Sequence, residues 1–447
     1  DSVASRGLGD VYKRQDELYQ LFPFSGYKVR HMRLKDEPGS PMRVYLDRLD
    51  SKPMLCYVCG CPMDSVRGRQ RRQVEDLRMA DRRTFIHFTR LKGRCKNCRR
   101  VRLESLDLIS HETPHLTRRY SYLLGRICEI AQTSRAADLM GHSKMTMWRA
   151  DLERMTRYFQ YYQLPPNLTH LSVDEVYAKG TREKHENRND QFFTVITDLK
   201  SGKVIWVEES RRKSALDRFF EELGPERCAG IEVVATDQHD EYARSIHEYC
   251  PNAIHVLDRF HLVKAFEEAV NDTRKRLHKM LPQKEVKELA RAKYRFVFLK
   301  AAGKRTPHER VHIERIMKDN EAFFRLELIK ERMLTMFNQP TEADARSVFD
   351  EIRDWIWESG FPELRKWWRN LHQNWQTVEN YFLCRVSTAL SEGINNVIKS
   401  VKRCAFGFRN MKYFKLKILQ RCRFLNSQYM TDSGQWTPKA IDLLLGR

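Results

Sequence analysis

The middle of the chain carries its apolar residues in short runs. Leu171-Ser-Val-Asp-Glu-Val-Tyr177, Phe192-Phe-Thr-Val-Ile-Thr197 and Lys203-Val-Ile-Trp-Val207 each read as a strand, the last two joined by a turn at Ser201-Gly202. A helical periodicity follows from about Ser214 to Leu223, then strands at Ile231-Glu-Val-Val-Ala-Thr-Asp237 and Ile254-His-Val-Leu-Asp258. On both sides the spacing is helical. Thr117 to Ala131 places Tyr120, Leu123, Leu124, Ile127 and Ile130 on one face, and Lys264 to Asn380 reads as almost uninterrupted helix. Trp355, Trp357, Trp367, Trp368 and Trp375 within that stretch are expected in its core. A late amphipathic helix, Ser391 to Arg403, has Ile394, Val397, Ile398 and Val401 on its apolar side. Leu164-Pro165-Pro166 is the best linker, since paired prolines cannot continue a helix.

Three strands, helix, strand, helix, strand is the order of an RNase H-like core, a mixed α/β fold. In that fold one acid sits on the first strand and another follows the fourth. Asp174 and Asp237 occupy those places, with Glu175 and Asp240 as close rivals. A third acid is expected from a late helix, and Glu392 fits. Glu392, Asn396, Lys399 and Arg403 lie along one helical face, so a carboxylate and two cations share it. Three converging carboxylates suit Mg²⁺ or Mn²⁺, which prefer oxygen ligands. Two such ions can activate a nucleophile and stabilise the leaving oxygen in phosphodiester displacement. Each acid also has a plainer reading. An Asp at a strand end is often a helix N-cap, Asp258-x2-His261 could be a capped helix start with a core histidine, and Glu392 could be a surface acid.

Charge and cysteines add chemistry at the other end. The 447 residues carry a formal charge of +22, an attraction for a polyanion with nucleic acid the first candidate. No run approaches the roughly 20 apolar residues of a membrane span. There is no charged-then-apolar signal stretch, so secretion is not expected. Two C-x2-C pairs, Cys56 with Cys59 and Cys95 with Cys98, could supply four thiolates to one Zn²⁺, with Cys61 and His87 as spare ligands. The plainer alternative is incidental thiols in a basic loop. Between Ser65 and Arg102, 14 Lys and Arg face three acids, half of the chain's net excess. Beyond it, Ser134 to Arg149 reads as helix, turn at Gly141, N-cap at Ser143 and second helix. Lys144, Thr146 and Arg149 would then point toward a major groove, although an ordinary helical hairpin has the same pattern.

Taken together, these motifs resemble the DDE transposases of bacterial insertion sequences, specifically the ISL-three family. The resemblance runs from about Leu55 to Leu419. Its most specific element is Glu392-Gly-x-Asn395-x-x-Ile398-Lys399-x-x-Lys402-Arg403 through Gly407-Phe408-Arg409-Asn410. It implies a protein that binds terminal inverted repeats, cuts DNA at the element ends and joins the 3′-hydroxyl to target DNA. Asp174, Asp237 and Glu392 would be the catalytic, magnesium-binding triad. Asp258 and His261 match a box that accompanies such cores, in a supporting role. Lys144, Thr146, Arg149, Lys399, Lys402, Arg403 and Arg409 are the expected DNA contacts, and the four cysteines hold structural zinc.

The expected organisation is a leader over 1–50, whose residues 1–15 resemble an adapter-derived, non-native string, then a zinc-binding domain over 51–104. A helix-turn-helix domain and linker cover 105–165. An RNase H-like core over 166–263 is interrupted by a helical insertion over 264–380 and completed by a final helix over 381–430, before a tail over 431–447. Double-stranded DNA is the expected partner, at element ends and target, with a homo-oligomer in the synaptic complex and no membrane. A bacterial cytoplasmic, nucleoid-associated location follows. Two readings stay open beside it: a non-catalytic sequence-specific DNA-binding protein, inactivated or regulatory, and an RNase H-like nuclease without strand transfer.

Overall fold

A computed structural model describes residues 21–79, 82–178, 188–237, 240–280, 295–318, 320–385, 389–405 and 408–422. The fold is mixed α/β, with two five-stranded sheets and many helices, in two compact units. One comprises Asp1–Gln163 with Val401–Arg447, the other Leu164–Ser400. The division falls at the paired prolines. Among the described residues no helix is long and apolar enough to cross a membrane.

The first unit is built on β1 (Tyr27–Arg33), β2 (Met42–Arg48), β3 (Met63–Met79), β4 (Arg82–Cys95) and β5 (Val101–Leu103). They run in the order β1-β2-β4-β3, with β5 paired to β4. Strand alternation sends Val29, Val44, Leu46, Val74, Ile86 and Phe88 to one face, where they bury Phe22, Tyr27 and Leu106. Residues 21–50 are therefore part of a domain rather than a leader, and the apolar pairs Tyr27/Val29 and Val44/Leu46 are the signal for it.

Three helices follow: Arg118–Ile130, Thr133–Met140 and Lys144–Gln160. Thr117 caps the first by accepting from the Tyr120 N–H. The second ends at Gly141, whose φ of 70° is the left-handed conformation that glycine adopts at no steric cost. Ser143 caps the third, accepting from the Thr146 N–H at 3.1 Å. Tyr120, Leu124 and Cys128 form the buried face of the first helix, with Ala136, Ala137, Met147 and Ala150 opposite. The expected stripe through Leu123 and Ile130 is only half correct, because these two are 40% and 84% exposed. The late helix Met411–Arg421 packs in this same unit.

The second unit has β6 (His170–Tyr177), β7 (Phe192–Asp198), β8 (Lys203–Glu209), β9 (Val233–Thr236) and β10 (Ile254–Leu257) in the order β10-β9-β6-β7-β8. β6, β7 and β8 are antiparallel neighbours, while β9 is parallel to both β6 and β10. Helices Lys213–Leu223 and Asp240–Tyr249 supply the crossovers that parallel pairing demands. From Arg259 to Cys384 the described chain is helical around one apolar cluster. Trp367, Trp368 and Trp375 are buried in it and Trp355 packs on its edge, whereas Trp357 stands 37% exposed with its ring edge-on to Trp368.

Candidate active site and metal centre

The parallel register brings acids together without long side chains. Val173 of β6 lies beside Thr236 of β9, and Thr236 lies beside Leu257 of β10. The next residues along the three strands are Asp174, within β6, and Asp237 and Asp258, just past the ends of β9 and β10, so three acids stand on neighbouring strands. Pleating turns the neighbouring acid the other way. Glu175 lies in a two-oxygen ion pair with Arg211 at 2.9 and 3.0 Å, and that guanidinium packs on the Phe192 ring. Asp174 is therefore the β6 acid on the opposite face. Asp240 begins its helix, but its side chain lies outside the described residues.

Asp174 is buried, and both of its oxygens are engaged. Oδ1 accepts the Glu175 N–H at 2.7 Å, and Oδ2 accepts from Asn395 Nδ2 at 2.5 Å. Burial pushes the Asp174 carboxyl above the usual carboxylate range. His261, the Glu175 amide and Asn395 pull it down, and Asp258 pushes it further up. Asp258 itself caps the following helix, accepting from the Phe260 N–H at 2.8 Å, with His261 Nε2 3.8 Å from its other oxygen. Next to Asp237, His255 Nε2 is 2.7 Å from the Thr236 hydroxyl, and burial holds this imidazole down at about 4, hence neutral.

The helix Ala389–Cys404 carries Asn395 to Asp174, and Glu392 lies on it about one turn earlier. Glu392 is exposed, as are Asn396, Lys399 and Arg403 along the same face. Ile394 and Ile398 are buried as expected, while Val397 is 41% exposed. Lys402 is half-buried and its ammonium is held down by burial, and Arg409 is exposed. The link from Asn395 to Asp174 is the contact that sequence reasoning missed. An amide gives no charge pattern, although Asn395 stands within the late signature.

In the first unit, the sulfurs of Cys56, Cys59, Cys95 and Cys98 all lie within 4.8 Å of one another. The two pairs sit on matching turns. Cys56 donates its N–H to Cys61 O and Gly60 donates back to Cys56 O; Cys95 donates to Arg100 O and Arg99 donates back to Cys95 O. Gly60 and Arg99 are correspondingly left-handed, with φ of 71° and 54°. Four Zn–S bonds of about 2.3 Å require sulfurs roughly 3.8 Å apart. The Cys59–Cys95 and Cys59–Cys98 separations are 3.4 and 3.5 Å, so the set could hold one tetrahedral ion. Cys61 and His87 stand outside this group. Lys144 and Arg149 are exposed at the start of their helix, and Thr146 is half-buried beneath the Ser143 cap. A small cavity of about 20 Å³ near Arg118, Tyr122 and Arg154 belongs to helix packing, remote in sequence from the carboxylates.

Among known protein families, residues 171–418 match a model described as a transposase, that of the ISL-three group. The match spans more than half of the chain, and the protein belongs to the ISL-three transposase family. It is 25% identical over 406 residues to the transposase for insertion sequence element IS1001 of Bordetella parapertussis, covering 90% of this chain and 96% of that one. It is also 25% identical over 305 residues to the transposase for insertion sequence element IS1557 of Mycobacterium tuberculosis, covering 64% of this chain and 65% of the relative.

Proposed function

We propose that this transposase binds the terminal inverted repeats of an insertion sequence and carries out metal-dependent DNA cleavage and strand transfer, on an RNase H-like core. The observation that carries the reading is that Asp174 and Asp237 follow the last paired residues of the parallel neighbours β6 and β9, with the Glu392 helix tied to Asp174 through Asn395. The strand order of the second unit agrees with that core.

Asp174, Asp237 and Glu392 would hold Mg²⁺ or Mn²⁺. The donor type fits, being carboxylate oxygens of the kind hard divalent cations prefer, although among the described residues only the four cysteines form a close ligand group. When bound, a divalent metal would polarise the scissile phosphate and lower the pKa of the attacking water or 3′-hydroxyl. The chain's own groups do the positioning. Asn395 and the Glu175 amide fix the Asp174 carboxylate from two sides. Asp258 is engaged in capping, which favours a supporting role for it and for His261. Lys399, Lys402, Arg403 and Arg409 follow Glu392 along the chain and would meet DNA phosphates.

In the first unit, the Gly141 turn and Ser143 cap support a helix-turn-helix whose second helix presents Lys144, Thr146 and Arg149 to a major groove. The four cysteines would hold a structural Zn²⁺. Cys95→Ser should then lower bound zinc from one per chain to below half, measured by metal analysis, and cost specific end binding. Undiminished zinc in that variant would remove the metal centre. Two element ends must be brought together for transposition, which favours a homo-oligomeric complex acting on bacterial DNA in the cytoplasm.

The test uses purified protein and a labelled duplex of the source element's end. Nicking and strand transfer are assayed with Mg²⁺ or Mn²⁺, with EDTA, and with Glu392→Gln. Metal-dependent cutting and joining, both lost in the variant, is the expected result. Tight binding without cutting under any metal would favour a DNA-binding protein that does not cut. Full activity of Glu392→Gln would move the third carboxylate elsewhere.

A further inference from the structure

The sheet of the first unit has a second face. Strand alternation puts Arg43 and Tyr45 of β2, His87 of β4 and Arg69 and Arg71 of β3 on the side opposite the core. Register fixes them as neighbours. Tyr45 lies beside His87, His87 beside Gln73, and Arg71 two residues further along β3. Toward Glu75 this face is covered. Glu75 is buried and exchanges backbone hydrogen bonds with His115 and Thr117, and Leu77 joins the helical core. Beyond Gln73 the cover stops, and Arg69, Arg71 and Gln73 are exposed. The open part therefore adjoins the helical pair. Arg78 of the same strand donates to Met140 O at 3.1 Å, at the Gly141 turn.

We propose that this open sheet face is a second DNA contact, a phosphate-binding platform that extends the surface of the helix pair along the same duplex. The proposal rests on the reading of the chain as a DNA-binding transposase. Charge complementarity argues for the occupant. Among the described residues Arg43, Arg69 and Arg71 have no ion-pair partner, whereas the cation near the covered end, Arg83, is paired with Glu75. On β2, Asp47 is the one acid that alternation brings to this side. The face also carries an aromatic stack. Tyr45 is stacked between His31 at 4.4 Å and His87 at 4.6 Å, with the Arg33 guanidinium 5.4 Å from its ring centre. Both Tyr45 ring faces are taken by imidazoles, so the stack cannot receive a base. What the surface offers is guanidinium, and phosphate is what guanidinium recognises. The contact is thus sequence-independent, a complement to base reading by the helix.

The test compares full-length protein with Arg43→Gln/Arg71→Gln, and with Arg69→Gln/Arg71→Gln as a second pair wholly on exposed positions. Arg310→Gln/Lys318→Gln, on an exposed helix of the second unit, is a control of equal charge change. Binding to an element-end duplex and to an unrelated duplex is measured by fluorescence anisotropy over a range of salt, after bound zinc and melting temperature are shown to match wild type. Each lost phosphate contact lowers the log–log salt slope by about 0.9, so a pair lowers it by about two and weakens binding by about tenfold. The expected loss is equal on both duplexes and absent from the control. Unchanged slopes in both sheet-face pairs, or a loss confined to the element end, would overturn the platform. Wild-type protein that binds no duplex at all would overturn the functional reading and the platform with it. Wild type that binds while both pairs match the control overturns the platform alone.

Discussion

Asp174→Asn should abolish the metal-dependent cutting proposed for this site while leaving DNA affinity in place. The exchange keeps the shape of the side chain but removes the negative charge that would be shared with a divalent cation. It also leaves an amide facing two donors, the Glu175 N–H and the Asn395 amide. One of those hydrogen bonds is lost, at about 1 kcal/mol. The loss in cutting rate should reach three orders of magnitude or more, about 4 kcal/mol in the barrier. The direction of the pH effect follows from burial. The folded-state value of Asp174 is raised, so its contribution to stability is present below the ordinary carboxylate range. That contribution is lost as the pH rises through the raised value. Above it the metal-free protein holds a buried anion that a cation relieves, so Mn²⁺ should raise the melting temperature of wild type and not of Asp174→Asn. Below it protons compete with the metal, and the acid limb of activity should sit at higher pH than an exposed carboxylate would give. Metal-dependent cutting by the variant at near wild-type rate would remove Asp174 from the site.

The strands that position this carboxylate were legible because each is a short apolar run ended by a turn or an acid. The structure places β6 at His170–Tyr177 and β10 at Ile254–Leu257, within a residue or so of the expected bounds. The order of the elements set Asp174 and Asp237 on neighbouring strands, and the β6–β9 pairing agrees, while each cysteine turn is local. What escaped is what depends on partners far along the chain. Leu123 and Ile130 have helical spacing, yet the cover they would need is absent among the described residues, and the buried face is Tyr120, Leu124 and Cys128. Asn395 meets Asp174 across 221 positions, and no periodicity forecasts that. Lys417 is buried against an acid more than 260 residues earlier, and no local pattern marks it.

That lysine sets the second large effect: Asp151→Ala should destabilise the first unit by about 3–5 kcal/mol. Asp151 is fully buried on the helix Lys144–Gln160. Its carboxylate meets Arg154 at 3.0 Å, Lys417 at 2.7 Å and the Tyr413 hydroxyl at 2.8 Å. Arg154 also pairs with Glu129, and Lys417 donates to Cys128 O and Gln420 as well. Removing the acid leaves two buried cations with one anion fewer, a larger loss than a cavity of that size. Burial alone would raise the Asp151 carboxyl, but Lys417 and Arg154 outweigh it and the net shift is downward. The stability it confers is therefore present above the ordinary carboxylate range and is lost only as the pH falls through the depressed value. Urea unfolding at neutral pH measures the loss, and hydrogen exchange should show Met411–Arg421 opening first, because Tyr413 and Lys417 hold that helix to Asp151. A midpoint within about 0.5 kcal/mol of wild type would mean that the knot adds no net stability.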